Sequence, residues 1–148
     1  MTIEELQLEP VAEQAARLLQ QKHPIIEFTS GRRNIAQQAH AMASNVVSLH
    51  DRQWIGKTYK AATKLQQWVD DHANAITIDQ VTVGLQQTME AMAEAEVLKV
   101  SRHLTGRAFD IRPVAENAEA IKNDIRALPG LTMFLDKEGG HVRWHAQF

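Results

Sequence analysis

Ala108-Phe109-Asp110-Ile111-Arg112-Pro113 and His141-Val142-Arg143-Trp144-His145-Ala146-Gln147-Phe148 decide the fold of this 148-residue chain. Apolar and polar residues alternate in both stretches, the period-two pattern of a strand with two unlike faces. In the second stretch His141, Arg143 and His145 fall on one face, with Val142, Trp144 and Ala146 on the other. The polar face is suited to line a cleft, and the apolar face to pack on helices. Residues 131–135 read as a further strand, joined to 141–148 by the acidic, Gly-rich segment 136–140, which makes a hairpin. Between these strands, 114–127 reads as a helix and Leu128-Pro129-Gly130 as a turn.

Working outward, residues 10–21 carry Val11, Ala15, Leu18 and Leu19 at helical spacing, with Pro10 suited to the first helical position. His23-Pro24 ends that helix, Ile25-Ile26-Glu27-Phe28-Thr29 reads as a strand, and Ser30-Gly31 as a turn. Residues 34–97 contain no Pro and are rich in Ala, Gln, Met and Glu, which predicts two or three helices with a break near 48–51 and an N-cap within 76–79. The Met and Trp residues of this segment follow helical spacing and are assigned to core packing. The expected architecture is α+β, a small antiparallel sheet with packed helices in a single domain over 1–148, enlarged by a helical insertion at about 34–97.

Composition narrows the function. Hydrophobic residues make up 44% and charged residues 23%, and no apolar run reaches the roughly 18 residues of a membrane helix. Sixteen Lys+Arg against eighteen Asp+Glu give a net charge of −2, without the bulk positive charge of a nucleic-acid binder. The absence of Cys excludes disulfides, thiolate metal sites and cysteine nucleophiles, so any metal must be held by His, Asp or Glu. Residues 1–6 carry early acids and no basic segment followed by an apolar stretch, which predicts synthesis in the cytosol without a secretory signal.

The chemistry concentrates in Ser101-Arg102-His103-Leu104-Thr105-Gly106-Arg107-Ala108-Phe109-Asp110. His103 and Asp110 flank a Gly that lets the chain turn and a small Ala that allows close backbone approach, so both side chains can converge on one point. Imidazole and carboxylate are ligands that zinc accepts where no thiolate exists. A third ligand is expected from Glu138-Gly139-Gly140-His141, where an acid precedes a His by three residues. His103, Asp110 and His141 leave a fourth position for water, with Glu138 as the general base. His145 is the alternative third ligand, but the residue three before it is Val142, which cannot act as a base, and His141 is therefore preferred. His23, His40, His50 and His72 have no partner at metal spacing and are assigned no function.

His-x-x-Gly-x-Ala-x-Asp followed by a late acid-x-x-His resembles the zinc peptidases that include D-alanyl-D-alanine carboxypeptidases and dipeptidases and the phage L-alanyl-D-glutamate endopeptidases, with the hedgehog signalling domain as a relative. Ser101, His103, Gly106, Ala108 and Asp110 match the central motif, and Glu138 and His141 match the acid-x-x-His element. Thr29-Ser30-Gly31-Arg32-Arg33 looks like the segment that supplies a substrate-facing Arg, which places Arg33 in that role. Arg32 stands where that segment has an aromatic residue, and Gly140 where relatives often have Pro or Trp. The resemblance covers the ends of the chain and not 34–97.

The resemblance implies a hedgehog/D-Ala-D-Ala-peptidase-like fold and a Zn2+-dependent hydrolase acting on the peptide stem of peptidoglycan. Zinc would activate water and polarise the scissile carbonyl, Glu138 would carry the proton to the leaving amine, and Arg33 would clamp a substrate carboxylate or the oxyanion. Ser101 and His145 are expected near the substrate. The setting implied is a compact, monomeric phage endolysin without a wall-binding domain, released to the wall by a separate membrane-permeabilising protein or carried in the virion. Two other readings remain open, a non-catalytic zinc-stabilised binding protein on the same scaffold and a helical adaptor built on the middle segment.

Overall fold

The computed structural model describes residues 1–138 and 140–148, so Gly139 of the expected hairpin turn lies outside the described residues. In chain order the elements are α1 (Pro10–Lys22), β1 (Phe28–Ser30), α2 (Ile35–Ser48), α3 (Trp54–Thr58), α4 (Thr63–Asp71), α5 (Ile78–Ala91), α6 (Glu94–Val97), β2 (Ala108–Ile111), α7 (Ala118–Arg126), β3 (Met133–Glu138) and β4 (His141–Gln147), with short 3-10 turns at Glu4–Leu6 and Arg102–Thr105. The chain is α+β, with seven α-helices and one four-stranded antiparallel sheet among the described residues. It divides into two compact units, residues 1–32 with 105–148, and residues 33–104. The segment expected as an insertion thus forms a unit with a core of its own.

In the first unit the strand order is β1-β2-β4-β3. Phe109 pairs with Ala146 and Ile111 with Trp144, and all four are buried with Ile121 and Ile125 of α7 and Ala12, Ala16 and Leu19 of α1. Paired residues point to the same side of a sheet, so alternation sends Asp110 and His145, which also pair, to the opposite face. The aromatic centre is specific: Phe28 meets Phe109 edge to face at 5.3 Å, and Phe148 lies 5.4 Å from Phe109. Ala12, Ala15 and Ala16 of α1 are buried in the same core, which larger side chains at those positions would overpack. Gly31 has the same logic, because a Cβ there would sit 2.3 Å from the Leu6 carbonyl oxygen.

The end of α1 is joined to α7 by charge. Lys22 Nζ donates to Asp124 Oδ1 at 2.7 Å, and His23 Nε2 lies 2.6 Å from Oδ2. The Lys22 hydrogen bond, followed by that of His23, holds the Asp124 carboxyl below the usual aspartate range. A carboxyl with a lower pKa in the folded chain stabilises the fold above its unfolded value of about 3.9, and that contribution disappears as pH falls through the folded value. Asp124→Asn is therefore expected to be slightly less stable than the parent near pH 7. The difference closes on acidification below about pH 4, and urea unfolding at each pH reads it.

The second unit is helical. Asn34 Oδ1 accepts from Gln37 N at 2.8 Å while Gln37 Oε1 accepts from Asn34 N at 2.9 Å, a capping box that starts α2. Thr77 and Gln80 repeat the device at the start of α5, at the N-cap expected within 76–79. Met42, Trp54 and Met89 are buried in the core of this unit with Leu65, Val69 and Leu85, in agreement with a packing role. Five helices replace the two or three expected, because the chain breaks at His50, which adopts a left-handed φ of 50°, and again on either side of α4.

Other boundaries differ from expectation for local reasons. β1 starts at Phe28, since Ile25 is exposed and Ile26 turns into the core instead of pairing. Helix α7 begins only after Asn117, whose left-handed φ of 55° interrupts the expected 114–127 helix. β3 runs on to Glu138, so most of the acidic segment expected as a loop is strand. This last difference brings Glu138 into the sheet.

Candidate metal centre

Asp110 lies in β2, in which every residue is buried. The turn before the strand depends on Gly106, whose φ of 71° is one that L side chains rarely adopt. A Cβ at Gly106 would also lie 2.6 Å from the Arg32 guanidinium, which is held by Glu9 Oε1 at 2.6 Å and the Gln7 carbonyl at 2.9 Å. Arg32 therefore covers the turn of the motif. The Gly106 carbonyl accepts from Glu9 N at 2.9 Å and fixes the same corner.

His103 belongs to the 3-10 turn Arg102–Thr105 that leads into this corner. Its backbone N–H donates to Ser101 Oγ at 3.3 Å, and its carbonyl accepts from Arg33 N at 2.9 Å. Ser101 is buried, and its hydroxyl shapes the His103 turn. Arg33 is half-buried and donates from Nη1 to Gln38 Oε1 at 3.2 Å.

His145 pairs with Asp110 across β2 and β4, and its Nδ1 lies 2.9 Å from Asp110 Oδ1. Its Nε2 lies 3.1 Å from Gln147 Oε1. Burial opposes charge on this imidazole, but the hydrogen bond and negative charge of Asp110, then the charge of Glu138 and the Gln147 bond, outweigh it and raise the pKa. Glu138 is largely buried, with Oε2 3.6 Å from Arg143 Nη1.

His103, Asp110 and His145 each offer a ligand atom, and these atoms all lie within 4.8 Å of one another. Ligand atoms around a tetrahedral zinc with bonds of about 2.0–2.1 Å are about 3.3 Å apart, within reach of small side-chain adjustments. All three residues are buried, with Asp110 facing the His145 imidazole at 2.9 Å. Two imidazoles and one carboxylate form a donor set that suits zinc. A buried His-Asp-His group that could hold a metal ion is therefore present, with the donor set fitting the expected cofactor.

The third member of the group is His145, where the sequence reading preferred His141. His141 is exposed, pairs with Glu138, and stands four residues from His145, about 13 Å along an extended strand. A register shift also intervenes. Leu135 pairs with His145 and Lys137 with Val142, so two steps along β3 match three along β4. The extra residue interrupts the alternation that would carry His141, Arg143 and His145 onto one face. The preference for His141 rests on its place three residues after Glu138, and those two residues do pair across β3 and β4, but the group of possible ligands holds His145 instead. The signal that favoured His145 was its place next to Trp144, a residue bound for the core. Compared with family models, curated proteins and solved structures, the chain matches none of them.

Proposed function

We propose that this protein is a zinc-dependent peptidase of the peptidoglycan peptide stem, with His103, Asp110 and His145 as metal ligands, Glu138 as general base and Arg33 as a substrate anchor. The buried group of two imidazoles and a carboxylate carries this reading. The central motif from Ser101 to Asp110 supports it through its resemblance to zinc peptidases of cell-wall stems. When bound, zinc supplies Lewis acidity toward a carbonyl oxygen and makes water nucleophilic near neutral pH.

The remaining work falls to the chain itself. A carboxylate oxygen of Glu138 would take the proton of the attacking water and return it to the leaving amine nitrogen, a role worth roughly 10²–10⁴-fold in rate. Arg143, 3.6 Å from Glu138, would hold that carboxylate in place. Gln147 would orient the His145 ring through Nε2, leaving Nδ1 directed at Asp110 and the ligand position. Arg33 carries a planar guanidinium suited to a substrate carboxylate. The retained base distinguishes this reading from a zinc-stabilised binding protein, which has no use for Glu138. The phage endolysin setting is part of the same proposal.

Zinc-loaded protein is expected to release new amino termini from purified peptidoglycan. Chelation should stop the release and added zinc should restore it, with mass spectrometry of the muropeptides identifying the bond. Intact stems after prolonged incubation with the zinc-loaded protein would contradict the proposal.

A further inference from the structure

The Gly106 corner passes the chain from the 3-10 turn that carries His103 into β2, which carries Asp110. Asp110 and His145 are set by strand pairing, so the corner is the step at which the chain aims His103 at them. Backbone bonds hold the corner from two directions. The Gly106 carbonyl accepts from Glu9 N at 2.9 Å, and the Arg107 carbonyl accepts from Phe148 N at 2.8 Å. The Arg32 guanidinium lies over the corner, 2.6 Å from where a Gly106 Cβ would be, with Nη2 donating to Glu9 Oε1 at 2.6 Å and Nε to the Gln7 carbonyl at 2.9 Å. Arg32 N donates to the Leu6 carbonyl at 2.8 Å, so its backbone and side chain are both tied to residues 6–9. A planar fork can span two such acceptors, which a lysine ammonium on its flexible stem cannot match. The Arg32 and Glu9 side chains are 36% and 43% exposed, a setting in which an ion pair adds little to global stability.

We infer that Arg32 is a positioning residue of the metal centre, closing the Gly106 corner so that His103 stays within reach of Asp110. The inference rests on the metal-binding part of the peptidase reading and adds a residue to it. Glycine leaves a corner free to adopt many backbone angles, and the guanidinium packed against Gly106 narrows that choice to the one seen. Without it, part of the ordering of His103 falls to the metal, and affinity drops accordingly. Residues that orient a metal ligand without touching the metal change affinity about 10–100-fold when lost. The direction of the change separates this role from one of charge. Removing a cation from beside a cation site tightens binding where Coulomb repulsion alone is at work, and weakens it where that cation holds a ligand in place.

The test measures zinc affinity of the full chain by competition with a chromophoric chelator, with circular dichroism at the same temperature. Arg32→Met is expected to bind zinc about 10–100-fold more weakly while its circular dichroism stays native. Arg32→Lys keeps the charge and a donor for Glu9 but not the second bond to the Gln7 carbonyl, and a smaller loss is expected. Arg17→Met serves as the control, since it removes another exposed guanidinium, paired with Glu4 and Glu13, and should leave zinc affinity unchanged. Cobalt loaded in place of zinc reads the geometry, and its visible absorption should change in Arg32→Met and not in Arg17→Met. Parent-like or tighter zinc binding in the Arg32 variants, or an equal loss in Arg17→Met, would overturn the role. If Arg32→Met fails to fold, Arg32→Lys decides alone: parent affinity overturns the role, and weaker binding with native circular dichroism upholds it. A parent chain that takes up no zinc removes the metal centre and this role with it, whereas a zinc-binding parent with indifferent Arg32 variants removes the role alone.

Discussion

His145→Ala is expected to abolish zinc binding, while His141→Ala binds zinc like the parent protein. The contrast follows from strand register, which pairs His145 with Asp110 and leaves His141 exposed at the far end of the hairpin. Changes to residues that only orient a ligand weaken metal affinity about 10–100-fold, so removal of a ligand should cost more than the upper end of that range. Competition with a chromophoric chelator reads the two affinities directly. His145→Ala also removes the imidazole bonded to the buried Asp110 carboxylate, and some loss of stability accompanies it. His145→Gln, which keeps a polar group in the pocket, separates lost metal binding from lost folding, since circular dichroism should remain native while zinc affinity falls. Equal loss of affinity in His141→Ala would return the third ligand to that residue.

Glu138→Gln has the other large expected effect. The amide matches the shape of the carboxylate but cannot accept a proton, so hydrolysis should fall by roughly 10²–10⁴-fold while the protein still takes up zinc. Neutralising Glu138 also removes one of the charges that raise the His145 pKa. The His145 titration, followed by NMR of the metal-free protein, is therefore expected to shift to lower pH in the variant. A structural role alone would predict lost stability with catalysis reduced in proportion to the folded fraction. Full hydrolysis by Glu138→Gln at unchanged zinc content would remove Glu138 from the mechanism.

Much of the sheet was legible in the chain because its two faces differ so sharply. Phe109 and Ile111 on one strand and Trp144 and Ala146 on another are apolar at period two, and they meet in the core as that pattern implies. The Gly and Ala of the central motif also have the backbone roles their size suggests, with Gly106 in a left-handed conformation and Ala108 fully buried. The third member of the His-Asp-His group was not fixed by pattern, because an extra residue in β4 opposite Asp136 breaks the alternation and depends on pairing with β3. Glu138 was found from its residue type and spacing to His141, yet its relation to His145 comes from extension of β3 through a segment that reads as a loop. Arg32 resembled a mismatch in the motif, and only the closed corner around Gly106 shows what it covers.

Diffraction from crystals grown with zinc, measured at the zinc absorption edge, tests the proposed centre most directly. A single anomalous peak is expected within about 2.0–2.2 Å of a His103 nitrogen, an Asp110 oxygen and a His145 nitrogen. A peak elsewhere, or none while Asp110 and His145 keep their direct hydrogen bond at saturating zinc, would contradict it.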